Sequence, residues 1–280
     1  MRAKMDYNGR IEPDMTGKAH TEWVKNVGKI IAVANQKGGV GKTTTSVNLS
    51  ACVAELGKRV LLVDIDPQGN ATSGLGRAHE EGATVYDVLI GECEAGEAIV
   101  STGYGALDLM PTAIELAGAE IELVSMDDRE MLLKDALEPV AGQYDYIFID
   151  CPPSLSLLTL NALSAADTVL IPIQCEYYAL EGVGQLVNTI KLMRKKLNPQ
   201  LGIEGILLTM YDSRTNLCAQ VVQEVRSHFA DEAFETMIPR NVRLSEAPSY
   251  GVPIHLYDGR CSGAQAYREL AKELIRRNEG

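Results

Sequence analysis

Two lysines, three glycines and two threonines fall within eight residues, Lys37-Gly38-Gly39-Val40-Gly41-Lys42-Thr43-Thr44. Small residues let backbone N–H groups come close to phosphate oxygens, and a helix starting just behind them adds partial positive charge. In such a loop Lys42 would pair with the β- and γ-phosphates of a nucleotide and the Thr43 hydroxyl would hold Mg²⁺. The common form of the motif has a glycine six positions before its lysine; that position here is Gln36. Instead a second lysine, Lys37, precedes the glycine pair. It is either a solvated loop lysine or a cation with anionic company. Two carboxylates follow at strand ends. Asp150 closes an apolar run, the usual place for an acid near Mg²⁺, and its neighbour is Cys151 where many fast ATPases carry a glutamate as general base. Asp66 stands just after the run Arg59–Asp64, and Asp66-Pro67 also reads as a turn starter.

These groups need a rigid frame, and the apolar pattern supplies one. Ile30–Ala34 is a short buried-strand run ahead of the glycine loop, and a helix is expected from Thr43 to Leu56, stopped by Gly57. Further strands are expected at Arg59–Asp64, Leu107–Met110, Tyr144–Asp150, Thr168–Ile173, Ile203–Thr209 and Thr236–Ile238. Helix-length segments lie between most of them, including Leu180–Leu197 and Asn216–Phe229, with a closing helix around Ala264–Arg277. Continuous apolar strands alternating with helices predict an α/β fold, a mostly parallel twisted sheet with helices on both faces. The 280 residues divide into a polar extension, residues 1–28, expected to be flexible, and one domain, residues 29–280.

Composition narrows the setting. No run of about 18 apolar residues occurs, so no membrane span is expected, and the first 28 residues lack the apolar core of a secretory signal. The six cysteines form no C-x-x-C pair, which argues against a zinc framework or disulfide scaffold and for a reducing cytoplasm. The net charge of −12 is confined: residues 77–138 hold 15 acidic and 3 basic residues, and the remainder is neutral overall. A local basic face is therefore compatible with the acidic total. Lys191, Arg194, Lys195 and Lys196, and Arg268, Lys272, Arg276 and Arg277, read equally well as solvated helix faces and as phosphate contacts.

The glycine loop with its leading lysine resembles the deviant Walker A motif of the ParA/MinD group. Asn35-Gln36-Lys37 and Thr44-Thr45-Ser46-Val47-Asn48-Leu49 around it resemble the chromosome-partitioning ParA/Soj branch. So do Asp64–Asn70, Ile149–Ser154, Gln174–Gly182 and Pro239–Pro248, and the likeness runs from residue 29 to about 275. The resemblance implies a P-loop ATPase with ATP and Mg²⁺ as cofactors. It assigns Lys37, Gly38, Gly39, Val40, Gly41, Lys42, Thr43 and Thr44 to the phosphates, and Thr43 and Asp150 to the metal. Adenine would sit near Thr209, Met210, Pro239 and Asn241. Lys37 would reach across a homodimer interface to the partner's phosphates, with Gly38 small enough for close approach, and Asp66 would orient water. An aspartate is a weak base at neutral pH, so turnover would be slow and open to stimulation. Arg214 and Arg243 match family positions implicated in DNA contact, and DNA binding would be non-specific and salt-dependent. The implied partners are a second copy of the chain, DNA and a ParB-like centromere-binding protein, with a cytoplasmic, nucleoid-associated location and no stable membrane insertion.

Three related activities share the loop. A membrane-cycling division-site ATPase is the alternative, but it ends in an amphipathic membrane helix, and the tail Arg268–Gly280 offers only Leu270, Leu274 and Ile275 as aliphatics. An iron–sulfur ATPase needs two cysteines in glycine-rich loops, whereas Cys151 precedes two prolines and Cys93 sits among acids. A tyrosine kinase of this group needs a tyrosine-rich tail, and the last 13 residues hold none. The 28 residues ahead of the domain are too few for a helix-turn-helix, so operator-specific repression is not expected.

Overall fold

The computed structural model describes residues 28–78, 82–176 and 179–280. The polar extension expected over residues 1–28 lies, apart from Gly28, outside the described residues. The strands are β1 Lys29–Val33, β2 Val60–Asp64, β3 Val100–Tyr104, β4 Leu107–Met110, β5 Tyr146–Asp150, β6 Thr168–Gln174 and β7 Gly202–Thr209. The α-helices are α1 Lys42–Glu55, α2 Asn70–Gly74, α3 Val85–Leu89, α4 Leu116–Leu123, α5 Leu132–Ala141, α6 Leu157–Ala165, α7 Ala179–Lys196, α8 Asn216–His228, α9 Val242–Glu246, α10 Ile254–Tyr257 and α11 Ser262–Glu279.

The strands form one sheet in the order β3-β4-β2-β5-β1-β6-β7, parallel throughout except for the β3–β4 hairpin at one edge. Side chains alternate across a strand, so a strand covered on both faces must be apolar throughout. In β1, Ile30 and Ala32 enter one core while Ile31 and Val33 enter the other. The first core is closed by α3 to α8, the second by α1, α2 and α9 to α11. Helix α11 lies against α1; its Leu270, Ala271 and Leu274 are fully buried, and the Tyr267 hydroxyl is 3.2 Å from Thr45 Oγ1.

Two sequence expectations are corrected. Thr236–Ile238 is not a strand. The Glu235 and Thr236 amides donate instead to the Glu273 carboxylate of α11, at 2.8 and 2.9 Å, leaving a short bridge between Tyr211 and Pro239. Strand β3 was not foreseen. It is a half-exposed edge containing Gly103 in the left-handed region and a register shift, so its alternation is faint.

The parallel sheet brings five strand ends together. Asp64 of β2 is in register with Asp150 of β5, which is in register with Val33 of β1. Beyond β1 come the ends of β6 and β7, with Gln174 paired to Thr209. A ligand of an open parallel sheet is expected at this carboxyl-end crevice.

Candidate functional site

The glycine loop joins β1 to α1, as the sequence predicts. Gly41 sits at φ +88°, before the first helical residue, and Gly39 at φ +73°. Both lie in backbone territory that costs a side-chain-bearing residue about 1 kcal/mol or more. No side chain caps α1 and no acid stands in its first turn, which leaves its N-terminal amides to an anion. Gly38 is different: a Cβ there would meet nothing within 4 Å and its φ is not positive. Its smallness answers to no neighbour among the described residues of its own chain.

Three polar anchors shape the loop. The Asn35 side chain accepts from the Lys37 amide at 3.0 Å and donates to the Pro172 carbonyl at 2.8 Å. Thr209 Oγ1, at the end of β7, donates to the Val40 carbonyl at 2.8 Å. Lys42 is buried in the loop, its Nζ 3.3 Å from the Lys37 carbonyl. Burial lowers its pKa, while the charges of Asp150, Cys151 and Asp66 oppose the shift. Lys37 points outward, with 38% of its side chain exposed, and pairs with Glu176 at 3.2 Å. The anionic company left open by the sequence is thus a carboxylate of the same chain.

Asp150 is fully buried and accepts from Ser46 Oγ at 2.7 Å through Oδ1. Its Oδ2 is buried without a hydrogen-bond partner. Burial and the neighbouring Asp64 push its carboxyl well above the usual range, against the pull of the Ser46 and Thr43 hydroxyls. Asp64 is raised chiefly by burial, and Thr72 offsets this by donating its amide at 2.8 Å and its hydroxyl at 2.7 Å. An orphaned oxygen beside a second buried acid and the Thr43 hydroxyl is a donor set fitted to a hard divalent cation. Asp66, nearly buried, accepts from the Gln68 amide at 3.0 Å, so it does cap its turn while facing the Lys42 charge.

Beside the loop lies a cavity of about 250 Å³. Its lining includes Gly41, Thr44, Thr209, Met210, Pro239 and Asn241. All four positions expected around adenine are therefore gathered at one opening. Met210 has φ +52°, a strained backbone for a non-glycine residue and of the kind that clusters at ligand sites. Tyr267, Leu244, Ser245 and Pro248 also line it and were not anticipated. Nor were Ser46, Asp64 and Glu176, although each stands inside a stretch that carries the family resemblance. A second cavity, about 260 Å³, adjoins Thr43, Thr44, Asn48 and Asn70.

Of the two arginines expected to meet DNA, Arg214 sits in the turn after β7 and Arg243 in the short helix α9, and the two segments are joined where the Arg240 amide donates to the Tyr211 carbonyl at 3.0 Å. Arg214 is 85% exposed and forks onto Asp212 at 2.6 and 2.8 Å. Arg243 lies 2.7 Å from Glu246 and 3.6 Å from Asp258. Neither belongs to the phosphate loop.

The AAA domain family matches residues 28–203. The sporulation initiation inhibitor protein Soj of Bacillus subtilis (strain 168) is 63% identical over 250 residues, covering 89% of this chain and 98% of that protein. The chain belongs to the ParA/Soj family of chromosome-partitioning ATPases. The ParA/Soj assignment extends to Myxococcus xanthus (strain DK1622), whose chromosome partitioning protein ParA is 55% identical over 263 residues, 94% of this chain and 93% of that protein. A solved structure of a cobyrinic acid a,c-diamide synthase from Mycobacterium smegmatis, with bound ATP analogue and magnesium, is 42% identical with TM-score 0.80. It covers 91% of this chain and 97% of its own. The ParA/Soj fold and the motif frame are thus present over the described domain.

Proposed function

We propose that this chain is an ATP-dependent dimerising switch for chromosome or plasmid partitioning. The observation that carries the reading is the division of labour between its lysines. Lys42 is buried facing Asp150 and Asp66 of its own chain, whereas Lys37 projects outward on a weak pair with Glu176. An exposed pair of this kind is worth about 1 kcal/mol or less, so a partner subunit's phosphates compete with Glu176 readily. Two nucleotides brought face to face need added positive charge, and each subunit donates one Lys37 to the other. ATP and Mg²⁺ fit the site: Lys42 and the α1 amides would hold phosphate, Thr43 and Asp150 the metal, and Thr209, Met210, Pro239 and Asn241 the base.

Hydrolysis is slow in this reading. Cys151 is fully buried and its thiol is pushed far up by burial, so it supplies no base beside Asp150. Asp66 orients water. A ParB-like partner accelerates the step, and a nucleoid-associated, cytoplasmic cycle follows. Arg214 and Arg243 would release their carboxylates to DNA phosphates, four arginines per dimer, giving non-specific and salt-dependent binding.

The membrane-cycling alternative has less support. The aliphatics Leu270 and Leu274 of α11 are spent in the core against α1, and no described helix is long and apolar enough to cross a membrane. The test is binding to a non-specific duplex at low salt with ATP, with ADP, and with ATP plus Arg243→Glu. Tight binding with ATP alone, lost in the variant, is expected. Equal affinity with ADP and ATP would overturn the coupling.

A further inference from the structure

A second cluster of donor groups lies away from the phosphate loop, under the far end of α1. Cys52 and Glu55 stand three residues apart in the last turn of α1, hence on one face. His255 of α10 faces them, and one donor atom from each residue lies within 4.8 Å of the other two. Cys52 is fully buried, His255 half-buried and Glu55 open to solvent, so the cluster has a closed floor and an entry side. His255 Nδ1 is buried without a hydrogen-bond partner, which leaves one ring nitrogen's capacity unused. Arg268 of α11 forks onto Glu55 through Nε and a terminal nitrogen, both at 2.8 Å, fixing the carboxylate while each oxygen keeps a lone pair.

From this juxtaposition we propose that Cys52, Glu55 and His255 form a binding site for a borderline-soft divalent cation of the zinc class, with water as fourth ligand. Thiolate, imidazole and carboxylate together select such an ion over magnesium or calcium, which take oxygen donors. Bond lengths of about 2.0–2.3 Å place tetrahedral donors ~3.3–3.8 Å apart. The observed spacing closes to that with side-chain shifts of about 1 Å. Arg268 orients Glu55 from behind, as outer partners of metal ligands do. Its positive charge opposes the cation, and the anionic thiolate and carboxylate outweigh it. Burial pushes the Cys52 thiol up to about 12, so the ion displaces a proton when it binds. The ion would tie the last turn of α1 to α10, on the opposite end of the helix whose first turn serves the phosphates.

The test uses the full chain and cobalt(II) as the probe. A thiolate ligand gives an intense near-ultraviolet charge-transfer band, which the oxygen-rich site at Asp150 cannot produce. One equivalent of cobalt should develop the band, one equivalent of zinc should bleach it, and a proton should be released. Cys52→Ala and His255→Gln should each abolish the band while leaving nucleotide-dependent protection against heat unchanged. His255→Gln, at a half-buried position, keeps the test decisive if Cys52→Ala does not fold. No band in the parent chain, or a band surviving in His255→Gln, would overturn the site.

Discussion

Replacing Asp150 by asparagine tests the reading of the metal end of the site. The side chain keeps its shape and still accepts from Ser46, but it cannot ionise. In the native protein the Asp150 carboxyl is pushed up to about 8 by burial and by Asp64, while an unfolded aspartate titrates near 3.8. Between those values the folded state holds a proton that the unfolded state has lost. Stability therefore falls as pH rises through the window, with a slope of up to ~1.4 kcal/mol per pH unit from this group. From about pH 6 to about pH 7.5 the loss amounts to roughly 2 kcal/mol. For a domain of this size that is a fall in Tm of about 4–8 °C. The assay is thermal unfolding of the nucleotide-free, magnesium-free protein across that range, parent against Asp150→Asn. The parent should lose stability more steeply, and the difference between the curves reports the coupled Asp150–Asp64 pair. Mg²⁺ with ATP should flatten the parent curve, because the cation takes the place of the proton, and should leave the variant's slope unaltered. Identical slopes in parent and variant would refute the argument that Asp150 is a strained acid awaiting a cation.

Other expected outcomes follow from single contacts. Thr209→Val removes the hydrogen bond to the Val40 carbonyl, so it should cost about 1–3 kcal/mol in denaturant unfolding and weaken nucleotide binding measured by calorimetry. Glu176→Gln deletes an exposed pair, so stability should change by less than about 1 kcal/mol while the ATP-dependent dimer, which breaks two such pairs, should form up to about 25-fold more readily as followed by sedimentation. Gly38→Ala should fold with the parent's Tm and bind ATP as a monomer, because its Cβ meets nothing within 4 Å among the described residues. Light scattering should then show the loss of dimerisation if Gly38 lies against a partner subunit.

The fold was largely legible because its strands are covered on both faces. Runs such as Val60–Val63 and Tyr146–Ile149 are apolar at every position, and no exposed strand gives that pattern. The faint strand β3 escaped because one of its faces is wet and Gly103 interrupts it. Thr236–Ile238 misled because it is apolar in part and its Ile238 amide does meet β7, while Glu273, nearly forty residues later, takes the Glu235 and Thr236 amides. The phosphate loop announced itself through spacing. The partners that complete it did not: Ser46, Asp64, Glu176 and Tyr267 act through contacts made by the fold, and none has a local signature. Nor does charge pattern reveal that Arg214 and Arg243 are each already matched to carboxylates.

The span between the loop and its anchors has a consequence for the chain as it is made. Val40 meets Thr209 across 169 residues, and Thr45 meets Tyr267 across 222. At a translation speed of ~5–20 residues per second, roughly 10–30 s separate the emergence of the glycine loop from that of its anchor. Until then β6, the neighbour of β1, lacks its own neighbour β7, and the apolar face of α1 waits longer still for α11. A nascent chain therefore carries a complete motif without a complete pocket. Until Thr209, Met210, Pro239, Asn241 and Tyr267 are made, the cavity beside the loop lacks those parts of its lining.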